Sequence, residues 1–426
     1  MWTKKQREIG RRNFVKAVAT VPAAGALLWK SRGMRPVRAA IVGSGGQGRV
    51  LLENAPTTHM RVVAVCDIAP DNLEKGLAVV RKRHDPEAKG YRDYAEMFKR
   101  SDIEAVLVAV PLWLHEPVAV AALKARKHVF SEKTMAYSVE QCRNMNAVAE
   151  AARRNLQIGH QRAYNPLYQE AYQLIHHGVI GDVYHVRALW HRNTDWRRKV
   201  PESLDMNPVA YCYAKPEQLK NWRLYKKYSQ GLMAELASHQ IHVVNWFSGA
   251  RPTSVFASGG IYRYRDGREV ADHMFVTFEY PENLTLTYST IQSNKFDHYY
   301  EQIMGTEGTL VLSQEREAML FSEGKKGSQA TRIAVEAASS GPVLSASESR
   351  LRDAAGSSVA STSSTYNALQ AYRDELAGFC NTIRHRAPNL CGGADGMDAC
   401  VPILMANQSM EKGEKLKIPP HLYYTT

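Results

Sequence analysis

Ile41-Val42-Gly43-Ser44-Gly45-Gly46-Gln47-Gly48 is the stretch that decides the fold. Its glycines have the G-x-G-x-x-G spacing, directly after a β-branched run and directly before a helical pattern, the context in which this motif has a mechanism. Gly43 permits the tight turn, Gly45 lets backbone approach a pyrophosphate, and Gly48 lets the helix pack closely on the strand. Gly46 and Gln47 complete the loop, whose N–H groups open a helix N-terminus toward the anion. Asp67 follows at the end of the next strand, 24 residues past Gly43, where its carboxylate can take both hydroxyls of an adenosine ribose. Like-charge repulsion from Asp67 disfavours a 2′-phosphate, so NAD is expected over NADP.

Outward from this loop, short apolar runs alternate with helical periods, the pattern of a doubly wound parallel sheet with helices on both faces. Strands are expected over Ala39–Val42, Val62–Cys66, Ala105–Val110, Val129–Phe130 and Leu156–Ile158, and helices over Arg49–Asn54, Pro70–His84, Glu116–Arg126 and Val139–Arg154. This places a dinucleotide-binding Rossmann domain at 38–158. Beyond Asn165 the runs lengthen and alternate by two, at Val183–Trp190, Ser254–Tyr262, His273–Tyr280, Leu284–Gln292, Tyr299–Met304 and Thr309–Leu312. The pattern is that of a large antiparallel sheet with one buried face, in an α+β domain over 159–426. Within it, residues 325–365 hold 11 Ser and 8 Ala, too little apolar area for a third domain, and are read as a flexible insertion. From Tyr366 helical order resumes, with Leu369, Tyr372, Leu376, Phe379 and Ile383 on one face.

Chemistry gathers at four places. His128-Val129-Phe130-Ser131-Glu132-Lys133-Thr134 sets an acid and an amine at the carboxyl edge of a parallel strand, where ligands of such folds bind; the alternative is a surface Glu-Lys pair. Gly231 to His242 reads as one helix, with Glu235, His239 and His242 at i, i+4 and i+7 on a single stripe. A histidine satisfied by glutamate is the plainer reading of that stripe; no second set of ligands accompanies it, so no metal is assigned. Trp190, Arg192, Trp196 and Arg197 combine flat rings with hydrogen-bonding groups suited to gripping a sugar, or to aromatic packing at a strand end. His115, after Pro111-Leu112-Trp113-Leu114, stands where it borders a nicotinamide or simply begins a helix.

The net charge of +13 invites a nucleic-acid reading that its distribution removes. Met1 to Arg38 carry ten Lys and Arg against one acid, leaving 45 basic and 41 acidic residues for everything else. Six scattered cysteines with no CxxC pair exclude zinc ribbons, redox dithiols and a disulfide scaffold. At the N-terminus, Arg11-Arg12-Asn13-Phe14-Val15-Lys16 followed by uncharged Ala17–Trp29 resembles a twin-arginine export signal, giving a leader at 1–37 and a periplasmic location, with the cytoplasm as the alternative. Thirteen uncharged residues are too few for a membrane span, which needs about 20.

Together these residues resemble the Gfo/Idh/MocA oxidoreductases, the family of glucose-fructose oxidoreductase and inositol dehydrogenase. The resemblance covers about residues 38–420 and rests on the Gly43/Gly45/Gly48 loop, Asp67, Glu132-Lys133, Ile180-Gly181-Asp182-Val183, Glu235/His239 and Gly305-Thr306-Glu307-Gly308-Thr309. It implies a Rossmann domain, an open-faced second domain that mediates homodimers or homotetramers, and hydride transfer between NAD and a sugar or cyclitol. It also implies that Lys133 and His239 are catalytic, with Glu235 steering His239 and His242 near the substrate. Thr134 stands where the family has proline, and His242 where a second aspartate is common. The same family includes NAD-dependent glycosidases, which oxidise, eliminate and reduce in one site; a dinucleotide-binding subunit without turnover is the third reading.

Overall fold

The computed structural model describes residues 35–200, 207–323, 329–338, 341–349 and 368–424. The expected export leader lies, up to residue 34, outside the described residues.

The first half is the expected parallel sheet. β1 (Val37–Val42), β2 (Met60–Cys66), β3 (Lys89–Tyr91), β4 (Ala105–Val108), β5 (His128–Glu132) and β6 (Leu156–Gly159) line up in the order β3-β2-β1-β4-β5-β6. Every pairing is parallel. Strand order reverses between β1 and β4, which opens the crevice where doubly wound sheets take their ligands. The connecting helices are α1 (Gly46–Asn54), α2 (Pro70–Arg83), α3 (Tyr94–Phe98), α4 (His115–Lys124) and α5 (Val139–Ala152). β3 and α3 are too short to leave a periodic signal, and β5 runs two residues past the expected strand, so Glu132 belongs to the strand itself.

After β6, α6 (Pro166–His176) is started by Asn165, whose side chain accepts from Leu167 N–H, with Pro166 at the first helical position. β7 (Val183–His191) then enters a ten-stranded sheet, followed by α7 (Pro216–Lys220), α8 (Ser238–Ser248) and strands β8 (Ser254–Gly260), β9 (His273–Glu279), β10 (Thr285–Ile291), β11 (Tyr299–Gly305), β12 (Gly308–Ser313) and β13 (Glu317–Ser322). The sheet is mostly antiparallel; β10 and β7 pair in parallel at its centre. In β10, Leu286, Tyr288 and Thr290 are buried and their neighbours half-buried, the alternation of a sheet covered on one face. The uncovered face carries Phe256 and Phe275, 45% and 51% exposed.

Two expectations are corrected. The Ser/Ala-rich insertion is not without regular structure: β14 (Gln329–Ala338) and β15 (Gly341–Ser349) extend the sheet as a hairpin on β13. A hairpin gains its ladder from backbone hydrogen bonds, which composition does not report. The C-terminal helix α9 (Ala368–His385), expected with the second domain, packs Leu376, Phe379 and Cys380 into the first sheet's core beside Ile41, Leu51 and Phe130, while Leu369 stays 39% exposed. α10 (Gly393–Lys412) continues that return, packing against α5, α8 and β8, and β16 (Leu416–Lys417) closes the second sheet's edge. No described helix is long and apolar enough to cross a membrane.

Candidate active site

The glycine loop has the form a pyrophosphate requires. Gly43 sits at φ +91, and a Cβ there would meet the Ala109 carbonyl oxygen at 2.4 Å; a Cβ on Gly48 would meet the Gly43 carbonyl oxygen at 2.0 Å. At Gly45 and Gly46 a Cβ meets nothing within 4 Å, so the space above the loop is open. No side chain caps α1 and no acid lies in its first turn, which leaves its leading N–H groups for an anion. The residues therefore fit a dinucleotide. Asp67, 8% exposed, accepts from Ser44 N–H at 2.8 Å, Ala69 N–H at 2.8 Å and the Ser44 hydroxyl at 3.3 Å, leaving lone pairs for the ribose. Burial pushes its carboxyl above the usual range against these donors.

Gln47 reaches from the loop to the end of β5, where its amide donates to Glu132 Oε1 at 2.8 Å. Glu132 is thus spent on ordering the cleft wall, and burial pushes its carboxyl up. Lys133 follows, joined to Thr134 by a cis peptide bond. Its ammonium donates to the Glu235 main-chain carbonyl at 2.8 Å, and the Thr134 hydroxyl donates to the Ala234 carbonyl at 2.8 Å. Both acceptors lie in a π-helical turn, Met233–Ala237, that interrupts the expected helix just before α8. Such turns hold one residue more than an α-turn and concentrate at functional sites.

One expectation is corrected: Glu235 does not steer His239, because its carboxylate is taken by Arg223 Nε at 2.7 Å. Burial raises the Glu235 carboxyl, but Arg223 and Lys133 outweigh it and hold the group below its ordinary value. His239, 6% exposed, has instead the imidazole of His160 at 6.2 Å edge-on, the indole of Trp190 at 5.4 Å, and an Nδ1 without a partner. Burial first, then Lys133, Arg162 and the two neighbouring histidines, push His239 well below the ordinary value, so it is a neutral imidazole at pH 7. Lys133 is lowered by burial against the opposing pull of Glu235 and Glu132.

The remaining expected residues divide. His242 stacks on His160 at 4.4 Å with 7° between rings, and Arg192 lies over Trp190 at 4.8 Å; both stay with the cluster. Trp196 packs against the Trp190–Leu232–Leu236 cluster. Arg197 is taken up by Asp266 at 3.0 Å and by Glu217, so its guanidinium is neutralised within the protein. Both ring nitrogens of His115 face backbone carbonyls, Thr134 at 2.9 Å and Val110 at 3.0 Å, which makes it a brace for the lysine loop, with neither nitrogen left for a cofactor. Sequence reasoning missed His160, Arg162 and Arg223. His160 follows Gly159 at the carboxyl end of β6, a position that marks ligand-side residues in parallel sheets. Arg162 and Arg223 gave no local signal, since the carboxylates that bind Arg162 lie 139 and 153 residues away and the one that binds Arg223 lies 12 residues away, on another element.

Comparison with known proteins agrees with this architecture. Residues 37–160 match the family model described as an oxidoreductase family, NAD-binding Rossmann fold, and residues 168–311 match the GFO/IDH/MocA C-terminal domain. An inositol 2-dehydrogenase from Salmonella paratyphi B is 30% identical over 221 residues, covering 50% of this chain and 65% of that protein. A glycosyl hydrolase family 109 protein from Shewanella amazonensis is 26% identical over 207 residues, covering 47% of this chain and 45% of that protein. The chain thus spans less than two thirds of the length of these relatives. A levoglucosan dehydrogenase solved with NADH and levoglucosan superposes with TM-score 0.71 at 17% identity, over 90% of this chain and 100% of that one, a likeness of fold. With both halves of one family's architecture matched over more than half of its length, the chain belongs to the Gfo/Idh/MocA oxidoreductases.

Proposed function

We propose that this protein is an NAD-dependent oxidoreductase acting on a hydroxyl of a sugar, sugar derivative or cyclitol. The observation that carries the reading is the tie between Lys133 and the turn that presents His239, at the carboxyl edge of the first sheet beside the glycine loop. When bound, nicotinamide supplies the acceptor for the carbinol hydrogen and its electron pair. Lys133 uses one of its three N–H donors on the Glu235 carbonyl, leaving two to hold and polarise the substrate oxygen. The neutral His239 imidazole takes the hydroxyl proton, and Glu235 neutralises Arg223 beside it. The glycine loop and Asp67 hold the dinucleotide; Trp190, Arg192 and His242 face the substrate.

The reading extends to a homodimer or homotetramer through the open face of the second sheet, supported by the exposed Phe256 and Phe275. It extends also to export through the Arg11-Arg12 leader with NAD already seated, since no dinucleotide pool lies outside the inner membrane. A retained cofactor favours redox-neutral chemistry. The glycosyl hydrolase 109 likeness supports a second reading on the same site, oxidation and elimination of a glycoside. Mass spectrometry of the small molecules released by denaturing the protein, followed by a sugar panel, tests both. Reduced NAD formed with a sugar supports the oxidoreductase, release of sugar from an aryl glycoside without net NADH supports the glycosidase, and cofactor that no sugar reduces leaves a non-catalytic subunit.

A further inference from the structure

We propose that the substrate carries a carboxylate, as a sugar acid or acidic cyclitol does, and that Arg192, which lies over the indole of Trp190, holds it. This rests on the oxidoreductase reading for what happens at the hydroxyl and adds what the rest of the molecule must bear.

The indole is crowded by cations. Arg192 Cζ lies 4.8 Å and Arg162 Cζ 5.6 Å from its centre, with the His239 ring at 5.4 Å. The acids of this region are already engaged: Glu301 and Glu315 bind Arg162, Glu235 binds Arg223, and Asp266 and Glu217 bind Arg197. Among the described residues Arg192 makes no salt bridge, although it is half-buried; Glu235, bonded to Arg223, acts on it only through space. Arg162 is 1% exposed; its Nε and Nη1 are taken, and Nη2 is buried without a partner. The guanidinium without a salt bridge is that of Arg192; holding it half-buried is costly, and part of that cost is recovered when an anion arrives.

The other unpartnered groups fit the body of a sugar. Tyr288 and Thr290 are buried on β10, their hydroxyls having at most each other as partner among the described residues, and Thr290 stands directly opposite Trp190 in the β7–β10 ladder. Hydroxyls both donate and accept, so they suit substrate hydroxyls; guanidinium N–H groups only donate. Shape selects a carboxylate. Arg162 is already matched by Glu301 and Glu315, so the fork left without a salt bridge is that of Arg192. A planar carboxylate also meets the guanidinium fork in two parallel bonds. Because His239 and Arg192 border one indole, the carboxylate and the reacting hydroxyl lie within about one sugar ring of each other.

The test uses the full chain with NAD bound and two matched pairs, glucuronate with glucose and galacturonate with galactose, together with glucose 6-phosphate. Calorimetry reads binding and absorbance reads reduction of bound NAD. At least one uronate is expected to bind about tenfold or more tightly than its neutral parent, the size of one charge-assisted contact. Arg192→Gln is expected to collapse that ratio to near one, whatever it does to the neutral sugar, and Arg192→Lys to restore part of it. Neutral sugars binding as well as the uronates, a ratio unchanged in Arg192→Gln, or glucose 6-phosphate outbinding both uronates would each overturn the proposal. Arg192-dependent uronate binding without any NAD reduction sustains this inference and removes the oxidoreductase reading; NAD reduction by neutral sugars with no uronate preference does the reverse.

Discussion

Lys133, at the end of β5, donates its ammonium to the main-chain carbonyl of Glu235 at 2.8 Å, so the first sheet's ligand edge is fastened to the π turn that leads into α8. The glutamate side chain is thereby left for Arg223. Two domains contribute to one charge arrangement: a lysine amine, a guanidinium and the carboxylate between them.

Replacing either proposed catalytic group is expected to stop turnover while cofactor stays bound. Lys133→Ala and His239→Ala should each lower kcat by at least about 10²-fold, the usual worth of a positioned acid–base group. NAD, held by the glycine loop and Asp67, should remain bound in both variants, as fluorescence titration will report. Near wild-type turnover in either one would move the chemistry elsewhere.

Glu235→Gln is a sharper probe, because it removes charge while keeping the carbonyl that Lys133 uses. Burial lowers the Lys133 amine and Glu235 raises it; without the carboxylate the amine falls further, with Arg223 now uncompensated beside it. A protonated Lys133 is needed to hold the substrate oxygen, so activity is present below its ionisation and lost as pH rises through it. The alkaline limb of the kcat/KM profile should therefore move to lower pH in Glu235→Gln. An unchanged alkaline limb would show that Lys133 does not set it.

Asp67 argues for NAD by its charge and by its place at the end of β2. In Asp67→Ala the preference for NAD over NADP should fall by about tenfold or more, equivalent to ~1.4 kcal/mol. The loss of the bonds to Ser44 and Ala69 will weaken both cofactors together, so the ratio of the two dissociation constants is the measurement. A wild type that prefers NADP would contradict the assignment outright.

What the sequence disclosed follows the range of each interaction. The glycine loop and Asp67 were legible because turn, strand end and helix start all lie within about thirty residues, and their geometry is local. Motif context singled out Lys133 and His239, which the structure brings within electrostatic reach of each other. The pairing of Glu235 was not legible, because a helical wheel compares positions on one helix only, and the guanidinium that takes the carboxylate, Arg223, lies outside that helix. Nor was the return of α9 to the first sheet: the periodicity of Leu376 and Phe379 announces a buried face without naming the core that buries it.

That return places one more carboxyl group under test. Glu375 on α9 is fully buried, both of its oxygens lack partners among the described residues, and burial with the nearby Glu132 charge pushes it well above the ordinary range. A carboxyl raised in the folded state is protonated there while the unfolded chain ionises. Its contribution is therefore fully present below the unfolded value, near pH 4.3, and is lost progressively as pH rises toward the folded value. Glu375→Gln keeps the shape and removes the ionisation, so it should raise the melting temperature, with a larger gain at pH 8 than at pH 5. Melting curves of both proteins at the two pH values decide it: a variant less stable than wild type at pH 8 would mean that Glu375 is charged in the folded protein and holds a partner there.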